Sequence, residues 1–197
     1  MDFTLSDERA MLRDSLRGTL ARAYGGAVRA RILASPTGFD PAIWTQLAVL
    51  GVLGALFTEA EGGFGGHGFD IALVFEELGK AGVVEPVLEA GLAGGLLADA
   101  GRGDLVEQVI GGTLHAAFGE VEPGRRFDPF AVEIRVDAGR LTGRKSVVVN
   151  AEAAGHLPVS ARTGAGIGLY LVATDAAGLN MRPYPAGQRR PRGRGHA

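Results

Sequence analysis

The sequence predicts an α+β fold whose two kinds of structure are segregated: an N-terminal all-α bundle over residues 1–112, an antiparallel β-barrel-like domain over 113–185, and an irregular basic tail over 186–197. Three observations predict it. Apolar residues recur at helical spacing as far as Gly111-Gly112, and from Thr113 the period drops to two. The stretch from Phe57 to Gly82 passes from a glycine-broken loop, Glu61-Gly62-Gly63-Phe64-Gly65-Gly66, directly into a helical pattern. Helices come first and strands afterwards without alternation, which argues against a doubly wound sheet.

Ser6 before Asp7 and Glu8 reads as a helix start, with Met11, Leu12, Leu16 and Leu20 on one face and Gly25-Gly26 as the stop. A shorter piece through Val28, Ile32 and Leu33 leads to the breaker Ser35-Pro36-Thr37-Gly38. Asp40-Pro41 sets a capping side chain before a proline whose missing N–H is not needed at the first helical position; Ile43, Trp44, Leu47 and Leu50 follow, and Gly51 and Gly54 end the helix. Four glycines in the six residues Glu61 to Gly66 are too costly for a helix interior and suit a loop that passes close to something. Asp70 caps or charge-complements the next helix, Ile71, Leu73, Val74, Phe75 and Leu78 form its apolar side, Glu76 and Glu77 a solvated face, and Gly79 and Gly82 offer places to stop.

Val83-Val84-Glu85-Pro86 reads as extended because the residue before a proline avoids the α region. Pro86 then opens a helix lined by Val87, Leu88, Leu92, Leu96 and Leu97, in which Gly91, Gly94 and Gly95 permit close packing; Asp104 to Ile110 is a last short helix. Strands are predicted at 114–118, 130–136, 140–142, 146–149, 157–161, 167–173 and 179–183, with Asp137-Ala138-Gly139-Arg140 as the clearest turn.

A hydrophobic content of 46% can fill a core, and a net charge of -2 gives no electrostatic reason to expect nucleic acid or an anionic membrane as partner. Without cysteine there is no disulfide, thiolate nucleophile or cysteine-ligated metal, and the four histidines are too scattered to suggest a metal site. The acidic N-terminus does not read as a signal peptide, and no apolar run reaches the roughly 18 to 20 residues of a membrane span, so a cytoplasmic protein is expected. No Ser-His-Asp order or phosphate-binding loop is evident.

Three segments in order resemble the acyl-CoA dehydrogenase family: the glycine loop with its following Glu76-Glu77-Leu78-Gly79, the segment 117–128, and the segment 141–150. In the second, Glu122, Pro123, Gly124 and Asp128 match the family pattern, while Val121 stands for a threonine, Arg126 for a glycine and Phe127 for a serine. In the third, Gly143, Lys145, Val148 and Asn150 match, Val147 replacing a tryptophan and Val149 a threonine. The pattern is most similar to the small-subunit type of pimeloyl-CoA dehydrogenase. The resemblance implies FAD as cofactor, held along Phe118, Glu120, Val121, Phe127, Val147 and Val149, an acyl-CoA substrate, α,β-dehydrogenation as in β-oxidation, and an electron acceptor it does not specify. It also implies a homo- or hetero-oligomer with another chain of the family. The family's catalytic carboxylate lies in a C-terminal helical domain that the sequence lacks, so no residue here is assigned as catalytic and the chain is expected to be truncated, weakly active or inactive. The alternative is a non-catalytic partner subunit or remnant. The arginine-rich tail reads as a truncated or frame-shifted end in preference to a basic arm for RNA.

Overall fold

The computed structural model describes residues 4–35, 37–125 and 128–184; the expectations placed on Pro36, Arg126, Phe127 and the basic tail lie outside them. Helices α1 Asp7–Ala23, α2 Gly26–Leu33, α3 Pro41–Val49, α4 Gly68–Ala81, α5 Val87–Asp99 and α6 Gly103–Ile110 precede the sheet, with short 3-10 turns at Gly54–Leu56 and Glu59–Glu61. Local signals set most of the helix ends. The Ser6 hydroxyl accepts the Arg9 N–H at 3.3 Å, and the Asp40 carboxylate accepts the Ala42 N–H at 2.9 Å with Pro41 in the first turn. Gly51, Gly82, Gly101 and Gly112 take positive φ just past α3 to α6. At each, the next N–H reaches back to the carbonyl five residues earlier, as from Val83 to Leu78 at 3.0 Å. Helix α4 runs through Gly79, one of its two predicted stops, and ends at the other.

The glycine loop lies against backbone. A Cβ on Gly63 would stand 2.3 Å from the Phe57 carbonyl oxygen, and one on Gly65 would stand 2.4 Å from that of Ala55. Gly94 in α5 likewise leaves room for the Phe57 ring. Trp44, Phe57, Leu16, Leu53 and Val106 lie in the main core, which continues past α6 to Leu114 and Ala116. There the Trp44 indole donates to the Gly112 carbonyl at 2.9 Å, and the His115 ring packs on Trp44 and Phe39 at centroid distances of 4.6 and 4.8 Å.

Two charged side chains of α4 are held by α1. Of the two roles expected of Asp70 the structure has the second: His67 is the N-cap residue, while Asp70 stands as an acidic residue in the first turn, buried against Arg9 of α1 at 2.5 Å. Glu76 is exposed, but Glu77, predicted on the same solvated face, is only 3% exposed and faces α1, where Arg17 grips it with two bonds of 2.9 and 2.6 Å. A burial this deep is stable because both carboxylate oxygens are matched by the guanidinium fork.

The strands are β1 Arg135–Asp137, β2 Arg140–Thr142, β3 His156–Thr163 and β4 Gly166–Ala173, in the order β2-β1-β3-β4. The sheet is open, and β1 pairs with β3 in parallel while the other two pairings are antiparallel, so the barrel-like, all-antiparallel arrangement is looser than predicted. A smaller core of Ala117, Ile134, Ala154, Leu157, Val159 and Ala161 lies beneath it. Predicted strand 114–118 survives as isolated bridges, Ala116 to His156 and Gly119 to Val159. Predicted strand 146–149 forms no ladder, because Val147 and Asn150 adopt φ of 56° and 59°, outside the extended region. Residues 130–134 lie outside β1; the Arg162 guanidinium bonds the Phe130 and Val132 carbonyls there, and Glu122 takes the Glu133 and Ile134 N–H groups. Segment 179–183 has no strand partner among the described residues.

Candidate functional site

Two irregular segments meet beside β3. The first leaves the helical core through Ala117 and is fixed at Gly119, whose N–H donates to the Pro158 carbonyl at 2.8 Å and whose carbonyl accepts the Ser160 N–H at 3.3 Å. The second, 145–149, joins it where the Ser146 N–H donates to the Val121 carbonyl at 2.7 Å. Neither segment belongs to a regular strand, so the backbone ladder alone does not position them.

Side chains do. The Lys145 ammonium donates to Glu122 Oε1 at 2.8 Å, to the Glu120 carbonyl at 2.9 Å and to Ser160 Oγ at 2.8 Å, using all three of its protons. Glu122 in turn accepts the Glu133 N–H at 2.7 Å and the Ile134 N–H at 3.2 Å. The two side chains are 7% and 4% exposed. Burial pushes the Glu122 carboxyl up, but the Lys145 ammonium and the two backbone N–H groups outweigh it and hold the group below its ordinary range. Glu122 is therefore ionised, with both of its oxygens bonded. The sequence supplied Glu122 and Lys145 as pattern matches without a role, and the pairing was missed because the partners stand 23 positions apart in different segments; an acid and a base recurring in the two matched patterns was the available signal.

Of the six positions singled out, Glu120 and Val121 lie on the first segment beside the junction, Glu120 exposed and Val121 half-buried, with half-buried Phe118 just before Gly119. Val147 and Val149 follow Ser146 on the second and are 51% and 48% exposed. Phe127 lies outside the described residues. No hydrogen bond from the Val147, Val148 or Val149 N–H is present among the described residues. Half-exposed aliphatic side chains beside unused backbone donors fit the ring of a flavin, which has apolar faces and carbonyl acceptors at one edge. The valines offer no side-chain donor of their own. A neighbouring cavity of about 150 Å³, lined by Glu120, Val121, Glu122, Arg125 and Asp128, is too small for a cofactor by comparison with the roughly 300 to 1,000 Å³ usual for ligand sites. The fit is that of one wall, open on its far side.

Glu77, Asp70 and His115 are committed elsewhere. Arg17, against the opposing effect of burial and with help from Lys80, pushes the Glu77 carboxyl down to about 2. Arg9 likewise lowers Asp70. Burial lowers the pKa of His115, which keeps its imidazole neutral. Among the described residues no cluster of three or more His, Asp or Glu is arranged to hold a metal, and no helix is long and apolar enough to cross a membrane.

Residues 6–113 match the family model described as acyl-CoA dehydrogenase, N-terminal domain. The chain belongs to the acyl-CoA dehydrogenase family. Acyl-CoA dehydrogenase IpdE2 of Mycolicibacterium smegmatis is 37% identical over 110 residues, covering 55% of this chain and 35% of that protein. Among solved acyl-CoA dehydrogenase structures, a variant of the Tcur3481–Tcur3483 steroid ACAD superposes with a TM-score of 0.80 at 30% identity, covering 89% of this chain and 50% of that one. The ChsE4–ChsE5 complex of Mycobacterium tuberculosis has the same fold, with a TM-score of 0.77 at 23% identity over 90% of this chain and 50% of that one. The chain thus spans half the length of these solved relatives. The helices fall within the matched family segment, and both segments of the candidate site lie after it.

Proposed function

We propose that this chain is the front part of an FAD-dependent acyl-CoA dehydrogenase, in which residues 113–185 form a domain supplying one wall of the flavin and thioester site. The observation that carries the reading is the junction of 119–122 with 145–149, which presents half-exposed Val147 and Val149 and unused backbone donors beside Glu120 and Val121. When bound, FAD supplies the acceptor for the β-hydride of an acyl-CoA thioester. Val147 and Val149 pack against the ring and keep water from it, the N–H groups of 147–149, which bond to none of the described residues, orient its polar edge, and Phe118 borders it.

None of the three buried, cation-paired carboxylates suits the role of proton acceptor. A general base for an α-proton needs a carboxylate beside the substrate with its pKa raised, whereas Glu77, Asp70 and Glu122 are each held below their ordinary range by a cationic partner. These three carboxylates are therefore set aside as the base, and the family resemblance is what points to a C-terminal helical domain for base and adenine site. The steroid ACAD carries two component names, which favours a second reading in which the chain acts as a partner subunit, completing a site together with another acyl-CoA dehydrogenase chain in a homo- or hetero-oligomer.

Flavin stoichiometry on the purified chain tests the first reading. The expected result is weak FAD binding in equilibrium dialysis with little or no bleaching when an acyl-CoA is added. No retention of FAD at any concentration below its solubility would sink it.

A further inference from the structure

We infer that the buried Lys145–Glu122 pair is a positioning device for the flavin wall: it holds the 120–121 segment in register with 147–149, so that ring-facing groups on two irregular segments stay at one spacing. The inference rests on the flavin reading above and adds to it residues that do not themselves face the ring.

The geometry carries it. Five bonds converge on two side chains: three from the Lys145 ammonium, to Glu122, the Glu120 carbonyl and Ser160, and two into Glu122, from the Glu133 and Ile134 N–H groups. They join four stretches of chain that no continuous ladder unites: 120–122, 133–134, Lys145 and Ser160 of β3. Two of these stretches lead directly into the proposed ring-facing positions. Apart from the two bonds of the Lys145 ammonium, to Glu122 and to the Glu120 carbonyl, the bonds between them come from Ser146 to the Val121 carbonyl, its N–H at 2.7 Å and its hydroxyl at 3.5 Å. A buried ion pair is a weak source of net stability, because desolvation consumes most of its Coulombic gain, but with every ammonium proton and both carboxylate oxygens bonded it specifies one arrangement. Supporting residues of this kind decide whether a site is held to within a fraction of an ångström of its working geometry.

The test separates stability from positioning. Replacing both partners, Lys145→Met with Glu122→Leu, removes the charges without leaving either one buried and alone, while the Glu133 and Ile134 N–H groups, the Glu120 carbonyl and Ser160 each lose a bond, so the variant is expected to fold with a lowered melting temperature. FAD affinity of that double variant, measured by equilibrium dialysis on the full chain, is expected to fall about tenfold or more, as happens when the groups orienting a ligand's contacts are removed. Glu122→Gln keeps one oxygen for the Ile134 N–H and the Lys145 ammonium but drops the charge and the acceptor of the Glu133 N–H, and is expected to weaken FAD in the same direction; it decides the matter if the double variant does not fold. A folded double variant, or Glu122→Gln, that binds FAD as tightly as the parent overturns the positioning role and leaves the flavin reading standing. A parent chain that retains no FAD overturns both.

Discussion

Glu77 and Val147 show how much single residues depend on neighbours that sequence spacing does not reveal. Helical periodicity puts Glu76 and Glu77 side by side on a polar face, yet one is in water and the other is locked under Arg17 and Lys80. The consequence is a pH dependence whose sign is fixed. Glu77 titrates at about 2 in the folded chain against an ordinary value near 4.5, so its contribution is complete above the ordinary value and is lost as pH falls through the folded one. We expect the stability of the parent to drop by roughly 2 kcal/mol between about pH 5 and pH 2 from this group, the gross figure being discounted because Arg17 is half in water. Thermal melts of Glu77→Gln across that range should show a lower plateau at neutral pH and a shallower slope in acid; an unchanged slope would assign the acid loss elsewhere. Val147 is the opposite case. A triple valine reads as a strand, but its φ of 56° costs a β-branched residue on the order of 1 to 2 kcal/mol and breaks the ladder at the position proposed to meet the ring.

At the scale of elements, helices were legible and strands only partly so. All helices but α2 carry a start or a stop of their own, in Ser6, Asp40, Pro86 and the four terminating glycines, and those signals act within a turn. Strand pairing depends instead on distant partners: 157–161 and 167–173 lie within one hairpin and were readable, whereas 114–118 and 146–149 run beside neighbours without forming a continuous ladder. The glycine loop was recognised as a close approach, but only the structure identifies what it approaches. That distinction gives opposite outcomes for one chemical change. Gly63→Ala would drive a methyl group into two backbone carbonyls at 2.3 and 2.4 Å, and should cost about 3 kcal/mol. Gly79→Ala, on an exposed turn inside α4 with nothing within 4 Å, should stabilise by up to about 1 kcal/mol. Urea unfolding of the two variants checks both signs, and a neutral Gly63→Ala would mean the loop relaxes away from residues 54–58.

For the molecule as a whole, the family segment accounts for the helices, and the strand-bearing remainder holds the candidate site. The site was half legible. Its pattern residues stood out, and their replacements by valine warned that polar contacts would be few; the ion pair joining the two patterns needed coordinates. The same scale holds the join between the two halves, where the helical core runs on to Leu114 and Ala116 and the second core begins at Ala117. Trp44, the single tryptophan, lies at that join with His115 against its ring. The chain therefore carries a built-in optical gauge of the seam. An imidazolium quenches indole emission where a neutral imidazole does so weakly, and burial delays protonation of His115 to lower pH than usual. Emission from intact protein should stay constant as pH falls through the ordinary histidine range and dim only in stronger acid, while His115→Gln should abolish that dimming. Any treatment that pries the halves apart would shift the same signal to the red, giving a readout of their contact without an added label.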